Sequence, residues 1–267
     1  MTEYESMSET LLLSRYKLDT FLICQRRFHL RFRQHLPWPN RPLADRWAEV
    51  REQGELFHRL VERHFLGLPI VAEAIPDVAV RRWWSLFQNH VTLPEGTAYP
   101  ERSLTVPIDG HVHNGRFDLL ILSPDTAHIF DCKTGKPRSE AELRHDWQTR
   151  LYLAMLAEGS AALGQTVHPD QIALTYWYVN DPAAPRTIRY NQACHTQNWA
   201  DIQAVVSQMN RALADDNWPL TDEWGNCRRC AYHAYCGRQK SGAPITVTEA
   251  TEESPDESDL NLEPELP

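Results

Sequence analysis

The sequence that decides the fold is Gly115-Arg-Phe-Asp-Leu-Leu-Ile-Leu122, followed by Ser123-Pro-Asp-Thr126 and Ala127-His-Ile-Phe-Asp-Cys-Lys133. The two outer segments are rich in large apolar residues, and the segment between them has the composition of a turn. This pattern predicts a β-hairpin. If the four turn residues form its loop, Leu122 pairs with Ala127.

This register places two acidic side chains against each other. Counting back along both strands from the turn sets Asp118 opposite Asp131. The Cβ atoms of directly opposed residues lie about 5 Å apart and like charges there repel, so a bound divalent cation is the simplest expected compensation. Lys133 lies two residues beyond Asp131 and therefore faces the same side of the strand, whereas Cys132 faces the other side. Two carboxylates beside an ammonium group suit metal-dependent phosphodiester hydrolysis.

Length and composition allow one large domain or two small ones, because the chain has 267 residues and nine tryptophans with which to fill a core. No apolar run reaches the roughly 18 residues of a membrane span. The N-terminus lacks the basic and apolar regions of a secretory signal. We therefore expect a cytoplasmic protein with no membrane partner.

Charge is distributed unevenly along the chain, whose net charge is −9. The last 27 residues hold eight acidic residues and no lysine or arginine, and their composition predicts a disordered acidic tail over 241–267. Residues 15–51 carry nine basic residues against three acidic ones. Such a field attracts phosphate groups, although a basic run alone is more often a solvated helix face. The candidate DNA contacts in this run are Arg26, Arg27, Arg31 and Arg33.

Helices and strands alternate in an order that is typical of an α/β domain with a mixed central sheet and helices on both faces. A capping box, Ser139-Glu-Ala-Glu142, begins one of the helices. We expect helices over 14–36, up to residue 65, and over 76–90, 139–163 and 196–214, and strands over 99–108, 115–122, 127–133, 171–179 and 186–190.

The six cysteines are more readily explained as metal ligands or buried thiols than as disulfides, because we expect an intracellular chain. Three of them form a C-x2-C-x5-C cluster, Cys227-Arg-Arg-Cys230-Ala-Tyr-His-Ala-Tyr-Cys236. A tetrahedral metal or a cubane iron–sulfur cluster needs a fourth ligand. From the residues alone that ligand is Cys24, Cys132 or Cys194, and zinc with His233 as a ligand is the competing chemistry.

Taken together, these elements resemble the PD-(D/E)XK nuclease superfamily in its RecB-like branch. The similar members carry a 4Fe–4S cluster, namely the AddB nuclease domain and the CRISPR-associated RecB-like exonucleases. The resemblance covers roughly residues 11–240 and rests on six elements that occur in the order of the family. They are Cys24, Gly54 to His58, Gly115 to Asp118, Asp131 to Gly135, Gln148 to Tyr152, and the cysteine cluster.

The resemblance implies a restriction-endonuclease-like α/β fold, with a mixed central sheet flanked by helices and with its ends joined by the cluster. The nuclease domain would span residues 11–240, between a flexible N-terminus over 1–10 and the acidic tail. The ligands of the 4Fe–4S cluster would be Cys24, Cys227, Cys230 and Cys236.

The resemblance also implies a metal site. His58, Asp118 and Asp131 would bind Mg²⁺ or Mn²⁺ together with the backbone carbonyl of Cys132. An imidazole ligand moves the preference of the site from Mg²⁺ toward Mn²⁺, because nitrogen suits the softer ion better. Glu101, on the preceding strand, lies either at the surface or near the metal, and the sequence leaves both readings open.

The implied catalytic residues are Asp118, Asp131, Lys133, Gln148 and Tyr152. Lys133 would orient the attacking water and stabilise developing negative charge. Gln148 and Tyr152, one helical turn apart, would help to position the substrate and Lys133.

We therefore expect a metal-dependent deoxyribonuclease, more specifically an exonuclease that acts on single-stranded DNA ends in repair, recombination or CRISPR adaptation. Its expected partner is a helicase or a CRISPR-adaptation protein, because the sequence has no helicase motif of its own. The alternative is a non-catalytic iron–sulfur module that binds DNA within a helicase–nuclease assembly.

Overall fold

The computed structural model describes residues 10–37, 45–228 and 230–238. The predicted acidic tail and all but the last residue of the predicted flexible N-terminus lie outside these described residues. The helices are α1 (Arg15–Ile23), α2 (Gln25–Phe28), α3 (Asp45–Phe65), α4 (Val78–His90), α5 (Glu140–His145), α6 (Trp147–Gly159), α7 (Gln192–Asp215) and α8 (Trp224–Arg228). The strands are β1 (Leu12–Leu13), β2 (Thr97–Ile108), β3 (His111–Leu122), β4 (Ala127–Lys133), β5 (Ile172–Tyr178) and β6 (Arg186–Arg189).

The chain divides into two compact units. The first unit consists of Met1–Arg41, Pro107–His113 and Asp201–Pro267. The second unit consists of Pro42–Val106 and Asn114–Ala200.

A mixed sheet forms the centre of the second unit, as predicted. β3 and β4 are antiparallel, β4 and β5 are parallel, β5 and β6 are antiparallel, and β2 pairs with β3. In the first unit, β1 pairs in parallel with the first residues of β3, so that Leu12 is opposite Val112. This short strand was not predicted, because two residues carry no periodic signal.

Helices cover both faces of the sheet in the second unit. Helix α6 packs against one face of the sheet. The buried residues on this side, called the α6 core, include Leu104, Phe117, Leu120, Leu153, Leu156 and Tyr176. The α3–α4 core packs α3 and α4 against the other face and includes Phe57, Trp84, Phe87, Leu119, Phe130 and Trp177. Neighbouring residues of β5, Tyr176 and Trp177, enter opposite cores, as the two-residue period of a strand requires.

The hairpin has the predicted register. Leu122 pairs with Ala127, and the ladder continues to Leu119 opposite Phe130. It stops one pair short of Asp118, whose side chain accepts a hydrogen bond from the backbone N–H of Cys132 at 3.1 Å.

The side-chain alternation of β3 shifts by one residue at the end of this ladder. Phe117 belongs to the α6 core, and so do Leu120 and Leu122. A regular strand would send Phe117 and Leu120 to opposite faces because they are three residues apart. The irregular backbone therefore lies at residues 117–119, next to the predicted acidic pair.

The prediction of one continuous helix over 14–36 is wrong. α1 ends at Cys24, whose backbone is extended with φ −167° and ψ 112°, and α2 begins at the next residue. The backbone N–H of Arg26 donates to the carbonyl of Pro219 at 3.2 Å. This contact is with a residue distant in sequence, so local propensity gives no sign of the break.

The helix predicted over 139–163 is also interrupted. Ser139 and Glu142 form the predicted capping box of α5, but the chain is extended at Asp146, where ψ is 136°. The carboxylate of Asp146 then accepts a hydrogen bond from the backbone N–H of Gln148 at 2.8 Å and begins α6. Aspartate is a preferred N-cap, so a capping residue inside an apparently continuous pattern began a second helix.

No helix of the described residues is long and apolar enough to cross a membrane.

Candidate active site

The first part of the site is the carboxylate of Asp118, which is bonded on two sides. Its Oδ2 atom lies 3.2 Å from Nδ1 of His58 on α3 and accepts the backbone N–H of Cys132 on β4. The side chains of His58 and Asp118 are 32% and 15% exposed, so the pair can be reached from solvent.

α3 holds His58 in place through the buried residue beside it. The ring of Phe57 is fully buried in the α3–α4 core, with its centroid 6.2 Å from that of Trp177 on β5. A Cβ atom at Gly54 would lie 3.6 Å from Oγ1 of Thr134, which is ordinary van der Waals contact. The helix therefore passes beside the turn that follows Lys133, although the space there would also accept an alanine at position 54.

The second part of the site is the buried carboxylate of Asp131, which is 1% exposed. Nζ of Lys133 lies 3.1 Å from Oδ1 of Asp131, and Nε2 of Gln148 donates to Oδ2 at 3.3 Å. Oε1 of Gln148 accepts a hydrogen bond from Lys133 at 3.2 Å. The three side chains form a closed ring of contacts, which provides the pairing that a buried carboxylate needs.

The structure compensates the two carboxylates separately. Asp118 has His58 and a backbone N–H, while Asp131 has Lys133 and Gln148. Each carboxylate therefore has partners of its own in the protein, and a bound cation as a further compensation stays a prediction.

The donor set at Asp118 nevertheless fits a hard divalent cation. Ligands about 2.1 Å from an octahedral ion and at right angles to each other lie about 3 Å apart. The observed 3.2 Å between His58 and Asp118 is close to that spacing. In the described parts of the chain, however, no three His, Cys, Asp or Glu side chains are grouped closely enough to hold a metal ion. The predicted three-residue metal site, and the part of the Cys132 carbonyl in it, stay predictions.

Tyr152 lies in the α6 core. It is 4% exposed, and its ring meets that of Phe117 edge to face, with centroids 5.1 Å apart. A Cβ atom at Gly115 would come within 3.0 Å of Sδ of Met155, so glycine lets β3 approach α6 closely. The role of Tyr152 in positioning substrate or Lys133 stays a prediction.

Sequence analysis missed Tyr176. It pairs with Asp131 across the parallel strands β4 and β5, and Nζ of Lys133 lies 5.7 Å from the centroid of its ring. Its hydroxyl is hydrogen-bonded to Oγ1 of Thr149 at 2.9 Å. Burial raises the pKa of Tyr176 well above its usual range, so the phenol stays neutral beside the carboxylate. Paired residues of the two strands lie 45 positions apart in the sequence, as Ala127 and Ile172 do, so the pairing leaves no local signal.

Glu101 lies near the site, which decides between the two readings left open by the sequence. Its Oε2 atom is 2.9 Å from Nε of Arg116, and its side chain is 23% exposed. Burial raises the pKa of Glu101 to about 7, and the negative charge of Asp118 adds to the rise, against the opposing effects of Arg116 and His58.

The four cysteines of the predicted cluster belong to the first unit. Cys24 lies at the break between α1 and α2, and Cys227 is buried on α8. Burial raises the pKa of Cys230, and the nearby thiols of Cys24 and Cys227 add to the rise. Burial and the thiols of Cys230 and Cys24 likewise raise the pKa of Cys236.

Cysteine positions favour Cys24 as the fourth member of this group. Cys132 is buried on β4 and Cys194 is exposed on α7, and both belong to the second unit. In the zinc alternative His233 would be a ligand, but its Nδ1 atom donates to the carbonyl of Cys230 at 2.6 Å. Cys24 and the three cysteines of the C-x2-C-x5-C cluster thus belong to one unit. Their binding of a cluster stays a prediction.

The predicted DNA contacts lie on α2 and the π-helical turn His29–Arg33 that follows it. Arg26, Arg27, Arg31 and Arg33 are all half-buried. The guanidinium group of Arg31 lies 4.9 Å from the ring centroid of Tyr16 and donates to its hydroxyl. Their contact with DNA stays a prediction.

The chain is similar to a known protein family and to solved structures. Residues 12–237 match the model of the PD-(D/E)XK nuclease superfamily. Among solved structures, the chain is similar to a predicted exonuclease from Eubacterium rectale, with 10% identity, a TM-score of 0.50, and coverage of 92% of this chain and 96% of that one. It is also similar to the crystal structure of SSO0001, with 13% identity, a TM-score of 0.42, and coverage of 85% and 86%. No curated protein matches the chain. At 10% identity, the first of these likenesses concerns the fold alone.

Replacing Gln148 by methionine tests the ring around Asp131. Methionine keeps the volume of the side chain but neither donates to Asp131 nor accepts from Lys133. We expect the free energy of unfolding to fall by about 1–3 kcal/mol, the cost of leaving buried polar groups without partners. Urea unfolding measures it. Gln88→Met, at an exposed position of α4, should change it by less than about 0.5 kcal/mol. Equal effects of the two substitutions would contradict the ring.

Glu101→Gln tests the burial of this carboxyl through the pH dependence of stability. The folded-state pKa of about 7 lies above the ordinary value of 4.5, so the native protein loses stability as pH rises between these values. We expect Glu101→Gln to gain stability relative to the native protein over this range and then to level off. Urea unfolding at several pH values in EDTA measures the difference, because a bound cation would lower the same pKa. A difference that does not change with pH would contradict this assignment.

Proposed function

Because the chain belongs to the PD-(D/E)XK nuclease superfamily, we propose that it is a metal-dependent deoxyribonuclease that digests single-stranded DNA from its ends. The observation that carries the proposal is the buried carboxylate of Asp131 held by Lys133 and Gln148, beside the pair of Asp118 and His58. A buried ion pair is weak evidence for stability. Charged groups held this way in a folded protein are typical of functional sites.

The donors that would hold Mg²⁺ or Mn²⁺ are His58, Asp118, Asp131 and the backbone carbonyl of Cys132. A cation bound there would polarise a phosphoryl oxygen and lower the pKa of bound water. Asp118 keeps its carboxylate oriented through the backbone N–H of Cys132, at 3.1 Å.

Lys133 supplies a positive charge where negative charge grows on the phosphate. Its ammonium group is held at 3.1 Å by Asp131 and at 3.2 Å by Gln148, so it needs little rearrangement to meet the substrate. A preorganised contact of this kind contributes about 3 kcal/mol in the transition state. Gln148 acts through Lys133 and Asp131, and Tyr152 helps to position the substrate and Lys133.

Single-stranded DNA ends are the proposed substrate, with the arginines at positions 26, 27, 31 and 33 contacting phosphates. The similar protein from Eubacterium rectale is itself described as an exonuclease, which supports digestion from an end. A helicase or a CRISPR-adaptation protein would supply the single strand in repair, recombination or CRISPR adaptation, in the cytoplasm.

A 4Fe–4S cluster held by Cys24, Cys227, Cys230 and Cys236 is part of the same proposal. Its support is the mutual influence of these thiols within the first unit. The cluster would be structural, because one cofactor would join residues 203 positions apart in the sequence, Cys24 and Cys227, and so restrict a very long loop.

Lys133→Ala tests the proposed chemistry. We expect cleavage of end-labelled single-stranded DNA in Mn²⁺ or Mg²⁺ to fall by about 10²–10³-fold, because the positive charge at the reacting phosphate is lost. Lys136→Ala is the matched control, since Lys136 is exposed in the turn that follows β4. Circular single-stranded DNA should resist the native protein, because it has no ends.

Undiminished cleavage by Lys133→Ala would contradict the assigned role. Binding of DNA that persists in EDTA, with no cleavage under any metal, would instead identify a non-catalytic module of a helicase–nuclease assembly.

Cys24→Ala tests the cluster. The protein purified without oxygen should be brown and absorb broadly near ~400 nm, whereas a zinc protein is colourless. We expect Cys24→Ala to lose this absorbance and its iron, and Cys194→Ala to keep both, because Cys194 is exposed on α7. Full colour in Cys24→Ala, or a colourless native protein that contains zinc, would contradict the assignment.

A further inference from the structure

An ion pair lies beside the candidate site without a part in the proposed chemistry. Nε of Arg116 and Oε2 of Glu101 are 2.9 Å apart, and their side chains are 34% and 23% exposed. We infer that Arg116 contacts a phosphate of the bound DNA strand and that Glu101 is the residue that positions it. The inference rests on the proposed function and adds a substrate contact to it.

The position of the pair favours this role. Arg116 is two residues before Asp118 on β3. The next residue, Phe117, faces the α6 core. Arg116 therefore lies on the opposite face of the strand, the face on which α3 packs. The charges of Asp118, His58 and Glu62 all act on the Glu101 carboxyl, which agrees with a short distance between the pair and the site.

The backbone at Glu101 is strained. Its φ of +49° lies in the left-handed region, which residues other than glycine rarely adopt, although it belongs to β2. Such a conformation is costly for a residue that has a Cβ atom, whereas a solvent-accessible ion pair stabilises a protein only slightly. Stability alone therefore gives little reason for this arrangement, and a fixed direction for the Arg116 side chain gives a functional one.

The chemistry of the guanidinium group suits a phosphate. The contact with Glu101 uses Nε, and a guanidinium group carries five N–H donors in a planar fork. Its outer edge can therefore bind two oxygens of one phosphate while Glu101 fixes the plane. The carboxylates of Asp118 and Glu62 repel a nucleic acid strand, and Arg116 offsets that repulsion beside them. Contact with phosphate carries no sequence preference.

The test measures DNA affinity and its dependence on salt in EDTA, where no cleavage interferes. Fluorescence anisotropy measures the affinity for two labelled single strands, one all thymine and one of mixed sequence. The variants are Arg116→Gln, Arg116→Lys, Glu101→Gln and the double variant Glu101→Gln with Arg116→Gln. Arg102→Gln, an exposed neighbour on β2, is the control for loss of a positive charge nearby.

We expect Arg116→Gln to weaken binding by about tenfold for both strands and to reduce the slope of log affinity against log salt by about 0.7, the value for one phosphate contact on a single strand. Arg116→Lys should restore the slope but not the full affinity. Glu101→Gln should weaken binding without changing the slope, and should add nothing when Arg116 is already replaced.

An unchanged affinity and slope in Arg116→Gln would overturn the inference, and so would additive effects of the two substitutions or an equal loss in Arg102→Gln. Thermal unfolding of each variant by circular dichroism separates these results from misfolding, and Arg116→Lys keeps the test decisive if Arg116→Gln does not fold. If the native protein binds DNA but never cleaves it, the proposed nuclease function is contradicted, and the salt dependence of affinity in the variants still tests the role of Arg116. If the native protein binds no DNA, the proposed function and the role of Arg116 are both contradicted.

Discussion

The structure of the site depends on how the buried carboxylate of Asp131 is paired and oriented. At 1% exposure it needs polar partners: Nζ of Lys133 forms an ion pair with one oxygen, and Gln148 donates a hydrogen bond to the other. β4 supplies the lysine two residues later on the same face. α6 supplies the glutamine because Asp146 caps the helix two residues before it. A strand and a helix cap thus converge on one side chain.

Two acidic groups on neighbouring strands are the constraint that shapes β3. The regular ladder stops at Leu119, and Asp118 turns its carboxylate to the N–H of Cys132 and to His58. The two carboxylates thereby have different partners, although they occupy adjacent positions of the sheet. His58, Asp118 and Asp131 would hold a divalent cation, and their present contacts keep these side chains in place before it binds.

Local pattern was enough to predict the hairpin and the pairing of Leu122 with Ala127, because a four-residue turn between apolar strands fixes the register. The hairpin pattern also suggested Asp118, Asp131 and Lys133, and the family resemblance suggested Gln148. The structure brings Lys133 and Gln148 against Asp131, and the catalytic roles of these residues stay predictions. Local pattern could not show the break at Cys24, which a distant contact with Pro219 accompanies, nor the position of Tyr176 beside Asp131, which requires a parallel pairing. The repulsion of the acids made a bound cation the simplest predicted compensation, because sequence does not reveal the protein groups that surround a buried side chain.

We propose that the two carboxylates and His58 hold one catalytic cation. Anomalous diffraction from a crystal soaked in Mn²⁺ would locate that cation. We expect one strong manganese peak within about 2.3 Å of oxygens of both Asp118 and Asp131 and of a nitrogen of His58. A peak bound elsewhere, or none at these residues at millimolar Mn²⁺, would contradict it.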